Sequence, residues 1–459
     1  MAQKNVNTKK QNEISFEEKL WETAEQLRGK VEVSNYKYIA IGLMFLKFIS
    51  ERYNFRRNQL DIETRDPSSD NYCKSDKDRA YLLNLKDQYT SKGVFYLKKD
   101  DRWTDLAKIA ASEPNLAIKI DEMLIEIEKD NPPLENVLPK IFSSTNIPNN
   151  NLKELIELFD TIRIEKDEEI AKDSFGRIYE FFMKKFSKRE LSRGGEFFTP
   201  ESIVKLLVEI LEPYQGIIYD PTCGSGGMFV QSYRFLQSHK SELEKSKKKV
   251  GISVYGVESQ TGIWRICKMN LAIRGIESKN IKNDDCLSGN PFSNLKANRI
   301  MANPPFNFRE WGYHKLREDK QFWRYGIPSD TKPGGNYAFM EHMIYHMEEK
   351  DGRMGLVLAN GSLSAGGQEA KIREAIGRDD LLDCIIALPT NLFYTVTIPA
   401  CLWFLTKNKD DGNTRKRKQE TLFIDSRKLF TKVDRVLNEF SNEQIESDSR
   451  NLSLLHRGT

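Results

Sequence analysis

From about Gly216 onward the chain predicts an α/β fold with a mainly parallel, doubly wound sheet, preceded by a helical region. Short apolar runs, "GIIYD", "SVYGVES", "NIKNDD", "RIMAN", "RMGLVLAN", "LDCIIAL" and "ACLWFLTK", alternate with helically spaced segments such as "GMFVQSYRFLQSHK", "GIWRICKMNLAIRGI", "NYAFMEHMIYHMEE" and "QEAKIREAI". Such alternation is what βαβ units produce, and they hold ligands at the carboxyl ends of their strands. Earlier, apolar residues recur at helical spacing: two amphipathic helices over 16 to 53, then "WTDLAKIAAS" and "LAIKIDEMLIEIEKD". A length of 459 residues with 39% hydrophobic content suffices for more than one buried core.

The expected organisation is a helical domain over 1–165, a sheet domain over 166–425 and a short helical tail over 426–459. "FSSTNIPNNN" reads as a loop, and "LKELIELFDTI" and "DSFGRIYEFFMKKFSK" as helices leading into the sheet domain. The charged segment "NKDDGNTRKRKQE", 408 to 420, separates "ACLWFLTK" from "TLFID". It reads as a solvated hairpin loop, or alternatively as a contact to a DNA backbone.

Composition removes several classes. No apolar run approaches the roughly 20 residues of a membrane span; "YIAIGLMFLKFIS" is short and contains Lys47, and the first residues lack a signal-peptide core. A cytoplasmic chain is expected. Six scattered cysteines without a CxxC pair argue against a disulfide framework and against a zinc site. His342 and His346 stand four apart, but "HMIYH" lacks the glutamate of HExxH, so a surface or packing role is expected and no metal. There is no GxxxxGK[ST], which disfavours an ATP-driven motor. A net charge of +4 permits nucleic-acid contact without demonstrating it.

Chemistry concentrates at strand ends. "IIYDPTCGSGGMFV" ends a strand in Asp220-Pro221, turns through Gly224, Gly226 and Gly227 and restarts as a helix. Such a turn lets a ligand approach backbone N–H groups at a helix start, although a plain strand-to-helix connection has the same look. The next strand ends in Glu258, an acceptor suited to ribose hydroxyls, and a third ends in Asp284-Asp285, within reach of an adenine ring. The ordered series favours an adenosine-containing ligand. A fourth strand, "RIMAN", runs into Asn303-Pro304-Pro305-Phe306, where prolines stop the sheet ladder and stiffen the mouth. The second "NPP", at Asn131 to Leu134, follows a charged helix, has no aromatic after it and reads as a decoy.

The glycine turn, Glu258, Asp285 and "NPPF" together resemble the S-adenosylmethionine-dependent DNA methyltransferases that act on exocyclic amines. "GGEFFTP" and the N-terminal "LWETAEQLRGKVEVSNYKYIAIGLMFLKFIS" resemble more narrowly the modification subunit of type I restriction-modification systems, over roughly residues 15 to 405. The resemblance implies a Rossmann-like methyltransferase domain that methylates adenine N6. It implies that Glu196, Phe197, Phe198, Thr199, Pro200 and Glu201 border the methionine part of S-adenosylmethionine, together with Ser225, Gly226 and Gly227. Asp220, Pro221 and Gly224 join the same cofactor set, Glu258 holds the ribose and Asp285 faces the adenine. Read without the family, Phe197 and Phe198 are core residues and Thr199-Pro200 a helix start. The implied partners are double-stranded DNA with its target adenine flipped out, a DNA-specificity subunit, a second modification subunit and a restriction/translocase subunit.

An adenine amine is a poor nucleophile because its lone pair is delocalised into the ring. Asn303 offers a side-chain oxygen and Pro304 a rigid carbonyl to its hydrogens, and Phe306 offers a flat face for the swung-out base. Two rival readings use the same features: methylation of a protein glutamine amide, and a scaffold of this fold without catalysis.

Overall fold

The computed structural model describes residues 16–27, 33–162, 168–190, 199–245, 250–319, 322–330, 334–393, 399–410, 415–433 and 437–457. These form two compact units, 1–194 with 272–275, and 195–271 with 276–459. The helix Glu168–Glu190 thus groups with the first unit, and the residues after 425 group with the sheet.

In the first unit the long helix Val33–Glu63 carries a nearly unbroken buried stretch from Ile39 to Ile49. Lys47 lies inside that stretch. Its ammonium donates to Asp160 at 2.9 Å and pairs with Glu51 at 3.0 Å, while Trp103 Nε1 donates to the same Asp160 oxygen at 2.7 Å. A buried cation is tolerated here because carboxylates neutralise it. The decoy Asn131 is satisfied locally: its oxygen accepts from Tyr96 N–H, and its amide donates to the carbonyls of Tyr96 and Ile127. Both amide hydrogens and the oxygen of that buried side chain are thus engaged within the domain. Among the described residues, no helix is long and apolar enough to cross a membrane.

The second unit is built on an eight-stranded sheet: β1 (Gln215–Asp220), β2 (Gly251–Glu258), β3 (Ile281–Asn283), β4 (Arg299–Ala302), β5 (Arg353–Ala359), β6 (Leu382–Ala387), β7 (Ala400–Thr406) and β8 (Leu422–Asp425). Their spatial order is β3-β2-β1-β4-β5-β7-β6-β8. All pairs are parallel except those made by β7, which runs antiparallel to β5 and β6. One apolar cluster fills each face, as a doubly wound sheet requires.

The helix Glu201–Leu211 shows why one face closes so tightly. Ile203, Leu206, Leu207, Ile210 and Leu211 follow the i, i+3, i+4, i+7, i+8 pattern and are all buried. Each contributes about 1.5–3 kcal/mol of burial. The helix stops at Glu212, in left-handed backbone just before Pro213. A Cβ at Gly355 of β5 would lie 2.8 Å from Leu207 Cδ2, so the helix rests directly on strand backbone.

Two sequence expectations fail here. β6 lies between β7 and β8, so residues 408–420 are a crossover and not a hairpin. Nor are all its cations solvated. Arg417 is fully buried and donates from Nε (2.7 Å) and Nη2 (3.2 Å) to the two oxygens of Asp383 in β6. Lys409, also buried, reaches Asp380 at 2.6 Å and two backbone carbonyls. A charge string on paper is here one fully buried and one half-buried ion pair that fasten the crossover. Beyond Asp425 the tail is not wholly helical either: a short antiparallel pair, β9 (Thr431–Lys432) and β10 (Asn438–Glu439), precedes the helix Asn442–Arg457. That helix packs on Glu201–Leu211, and its buried Asp448 accepts from Ser426 at 2.7 Å.

Candidate functional site

Parallel pairing brings the carboxyl ends of β3, β2, β1 and β4 to one edge, so Asp285, Glu258, the glycine turn and Asn303 follow one another across the sheet. After Pro221, Gly224 and Gly226 adopt positive φ values of 52° and 83°. The two serve different ends. A Cβ at Gly226 would press on Cys267 Sγ at 2.9 Å, whereas one at Gly224 or Gly227 would meet nothing within 4 Å. Gly226 therefore allows close packing, and Gly224 and Gly227 leave open space beside their backbone. Asn270 fixes the turn by donating to the Ser225 carbonyl at 2.7 Å.

Glu258 accepts from Gly224 N–H at 3.1 Å and from Gln260 N–H at 2.8 Å, which joins the end of β2 to the turn. Burial raises its carboxyl above the usual range, although the backbone N–H groups pull the other way. Asp285 is exposed, and one of its oxygens accepts from Leu287 and Ser288 N–H. Glu201 opens its helix; its carboxylate takes Gln231 Nε2 at 3.1 Å and Lys205 at 3.2 Å. Burial works to raise the Glu201 carboxyl, yet Lys205 and Arg234 outweigh it and hold it below the usual range. Glu196, Phe197 and Phe198 lie outside the described residues.

Asp220 sits beneath the turn, buried and accepting from Thr222 N–H at 3.0 Å. Burial pushes its carboxyl up to about 8. The native state thus keeps a proton that the unfolded chain releases near the ordinary aspartate value, and the stability this gives at low pH is lost as pH rises through about 8. We expect Asp220→Asn to flatten the fall of unfolding free energy between roughly pH 5 and 8 by up to about 1.4 kcal/mol per pH unit. Denaturant titrations at stepped pH check this, and parallel slopes for the two proteins would return Asp220 to an ordinary value.

At the end of β4, Asn303 Nδ2 donates to Thr199 Oγ1 at 2.9 Å. Its Oδ1 is buried without a hydrogen-bond partner among the described residues. A bare buried acceptor costs about 1–3 kcal/mol, so its retention at a strand end points to a ligand hydrogen. Pro304 is buried, Pro305 exposed, and Phe306 half-buried with its ring edge-on to Phe393 at 5.7 Å. The following Asn307, at φ 56°, is clamped by the fully buried Asn336, whose Oδ1 accepts from the Asn307 backbone N–H and whose Nδ2 donates to Asn307 Oδ1, both at 2.9 Å. Sequence reasoning missed Phe393, Asn336 and Asn270. Only Asn336 left a signal, a buried amide directly after Gly334-Gly335 at a helix start.

His342 and His346 lie in the core. His342 Nε2 shares a hydrogen bond with Tyr219 Oη at 3.0 Å, and His346 Nδ1 bonds the Leu295 carbonyl at 2.9 Å. Burial lowers both, His346 to about 4. They pack, as the second of the two sequence expectations had it.

Known proteins show the same arrangement of parts. A family model described as N-6 DNA Methylase matches residues 170–452, and one described as HsdM N-terminal domain matches 16–159. The type I restriction enzyme MjaIX methylase subunit of Methanocaldococcus jannaschii is 38% identical over 435 residues, covering 94% of this chain and 75% of the relative. The HindI methylase subunit of Haemophilus influenzae is 42% identical over 335 residues, 71% of this chain and 72% of the relative. In fold, the chain superposes on the type I restriction-modification system methyltransferase subunit from Streptococcus thermophilus with a TM-score of 0.78 at 23% identity, covering 95% and 92% of the two chains. One lineage accounts for both the helical and the sheet portions: the chain belongs to the N-6 DNA methylase family, among the methylase subunits of type I restriction enzymes.

Proposed function

We propose that the chain transfers a methyl group from S-adenosylmethionine to the N6 amino group of adenine in double-stranded DNA, as the modification subunit of a type I restriction-modification complex. Family membership sets the reaction class. The observation that carries the site is the buried Oδ1 of Asn303, without a partner among the described residues and one strand away from the turn that Glu258 ties down.

The residues fit such a methyl donor. Gly224 and Gly227 leave room for a ligand against the turn, and Glu258 stands at the end of β2 with the acceptors a ribose diol needs. In this reading Ser225 to Gly227 and the segment Glu196 to Glu201, apart from the Thr199 hydroxyl that Asn303 engages, face the methionine part, Pro221 belongs to the same cofactor set, and Asp285 faces the adenine. When bound, S-adenosylmethionine supplies an electrophilic methyl group. The chain's own work is on the amine: Asn303 Oδ1 and the Pro304 carbonyl accept its hydrogens and draw the nitrogen toward a tetrahedral, attacking geometry. Phe306, braced by Phe393, stacks the base that has left the duplex.

Incubation of the chain, assembled with its DNA-specificity partner, with radiolabelled S-adenosylmethionine and either duplex DNA or a protein extract tests the reaction. Label on DNA adenine is expected; label confined to protein glutamine would overturn the assignment, and none on either would leave a scaffold. Glu258→Ala should weaken S-adenosylmethionine binding by roughly 1.5 to 3 kcal/mol, the worth of a charge-assisted hydrogen bond. Unchanged affinity by calorimetry would remove Glu258 from the ribose role.

The proposal includes a cytoplasmic location, protection of host DNA from restriction, and assembly with a DNA-specificity subunit, a second copy of this chain and a restriction subunit. Its support is the relationship to type I methylase subunits.

A further inference from the structure

We propose that Thr199 is a positioning residue for methyl transfer: its hydroxyl, by accepting from Asn303 Nδ2, fixes which end of the Asn303 amide meets the target amine. The inference rests on the reading of Asn303 given above.

An asparagine amide has a donor end and an acceptor end of nearly equal size, and a half-turn about the last side-chain bond exchanges them. Only one orientation is useful, because the target amine presents hydrogens and an –NH2 turned toward it would set donor against donor. Something must therefore hold the amide before substrate arrives. Here the Nδ2 end is engaged by Thr199 Oγ1 at 2.9 Å, and the opposite oxygen is buried and has no partner among the described residues. A threonine hydroxyl is able both to donate and to accept, but while it accepts from Nδ2 the acceptor end of Asn303 stays free.

The threonine is not otherwise occupied as a helix cap. The helix that follows has Pro200 at its N-cap and no side-chain capping bond. That helix is seated on β5 through Leu207 and Leu211, where Gly355 has no Cβ to hold them off. The chain thereby sets the hydroxyl on a fixed platform against the end of a strand 104 residues further on. This role differs from the cofactor contact that the sequence resemblance implied for Thr199, and the two make different kinetic demands.

The test uses the chain assembled with its DNA-recognition partner, tritiated S-adenosylmethionine and a duplex carrying the target. In Thr199→Val the shape is kept and the acceptor lost. We expect kcat at saturating methyl donor and DNA to fall about tenfold or more, with calorimetric affinity for S-adenosylmethionine and KM for DNA within about twofold of the parent. Thr199→Ser, which keeps the hydroxyl, should recover most of the rate. Thr199→Ala serves as a second acceptor-free variant, so that a folding defect peculiar to valine does not decide the matter. A parental kcat in the valine and alanine variants would overturn the inference, as would equal losses with serine, which indicate packing, or a loss confined to methyl-donor affinity. Asn303→Ala run alongside separates the levels: full activity there removes Asn303 itself, whereas an inactive Asn303→Ala beside a fully active Thr199→Val removes only the role of Thr199.

Discussion

Replacing Asn303 by alanine is expected to leave S-adenosylmethionine binding intact while methyl transfer falls by about a hundredfold or more. Among the described residues the side chain makes no hydrogen bond to the glycine turn; it bonds Thr199, and its oxygen has no partner. Losing a preorganised acceptor aimed at a reacting group costs on the order of 3 kcal/mol, because water entering in its place is neither fixed nor desolvated. Single-turnover rates with calorimetry on the same variant make the comparison. Normal turnover would sink the mechanism, and lost cofactor affinity would show that Asn303 serves the donor side.

The second large effect concerns stability. Asp383→Ala should destabilise the sheet unit by about 3–5 kcal/mol, since it takes from a fully buried guanidinium the carboxylate that accepts two of its N–H groups. A matched pair of apolar substitutions, Asp383→Leu with Arg417→Met, should recover most of that loss, because both desolvation costs then vanish together. Denaturant unfolding of the three proteins reads the effect. If Asp383→Ala changed the midpoint no more than an exposed substitution does, the ion pair would have no structural weight.

These two sites mark how far the sequence could be read. At the active edge β1, β2 and β4 were visible as short apolar runs, because strands inside a parallel sheet are largely buried, whereas β3, at the sheet edge, offered only Ile281 before its polar end; the helices between them kept the 3.6-residue period. Asn303, Glu258 and the glycine turn were visible because the prolines and glycines that fix their backbone are local signals. What failed was non-local. Nothing in "ACLWFLTK" says that it inserts antiparallel between β5 and β6, so the charged segment after it looked like a hairpin. Asp383, a carboxylate in the middle of "LDCIIAL", was the one clue that a cation had to be buried nearby. Thr199 looked like an ordinary helix start, since its partner is more than a hundred residues away, and Phe393 and Asn336 meet Phe306 and Asn307 only after folding.

The packing of Asn442–Arg457 on Glu201–Leu211 also sets an order of completion during synthesis. The helix behind Thr199 is made early, but the segment that covers it lies about 230 residues later in the chain. At ribosomal speeds of roughly 5–20 residues per second that interval is on the order of ten to fifty seconds. Throughout it, apolar side chains that end up against Phe440 and Ile445 have no permanent cover. The platform that holds Thr199 against Asn303 is thus begun early and finished last, so a nascent chain interrupted before residue 442 would carry every candidate catalytic residue and lack the packing that sets them in place.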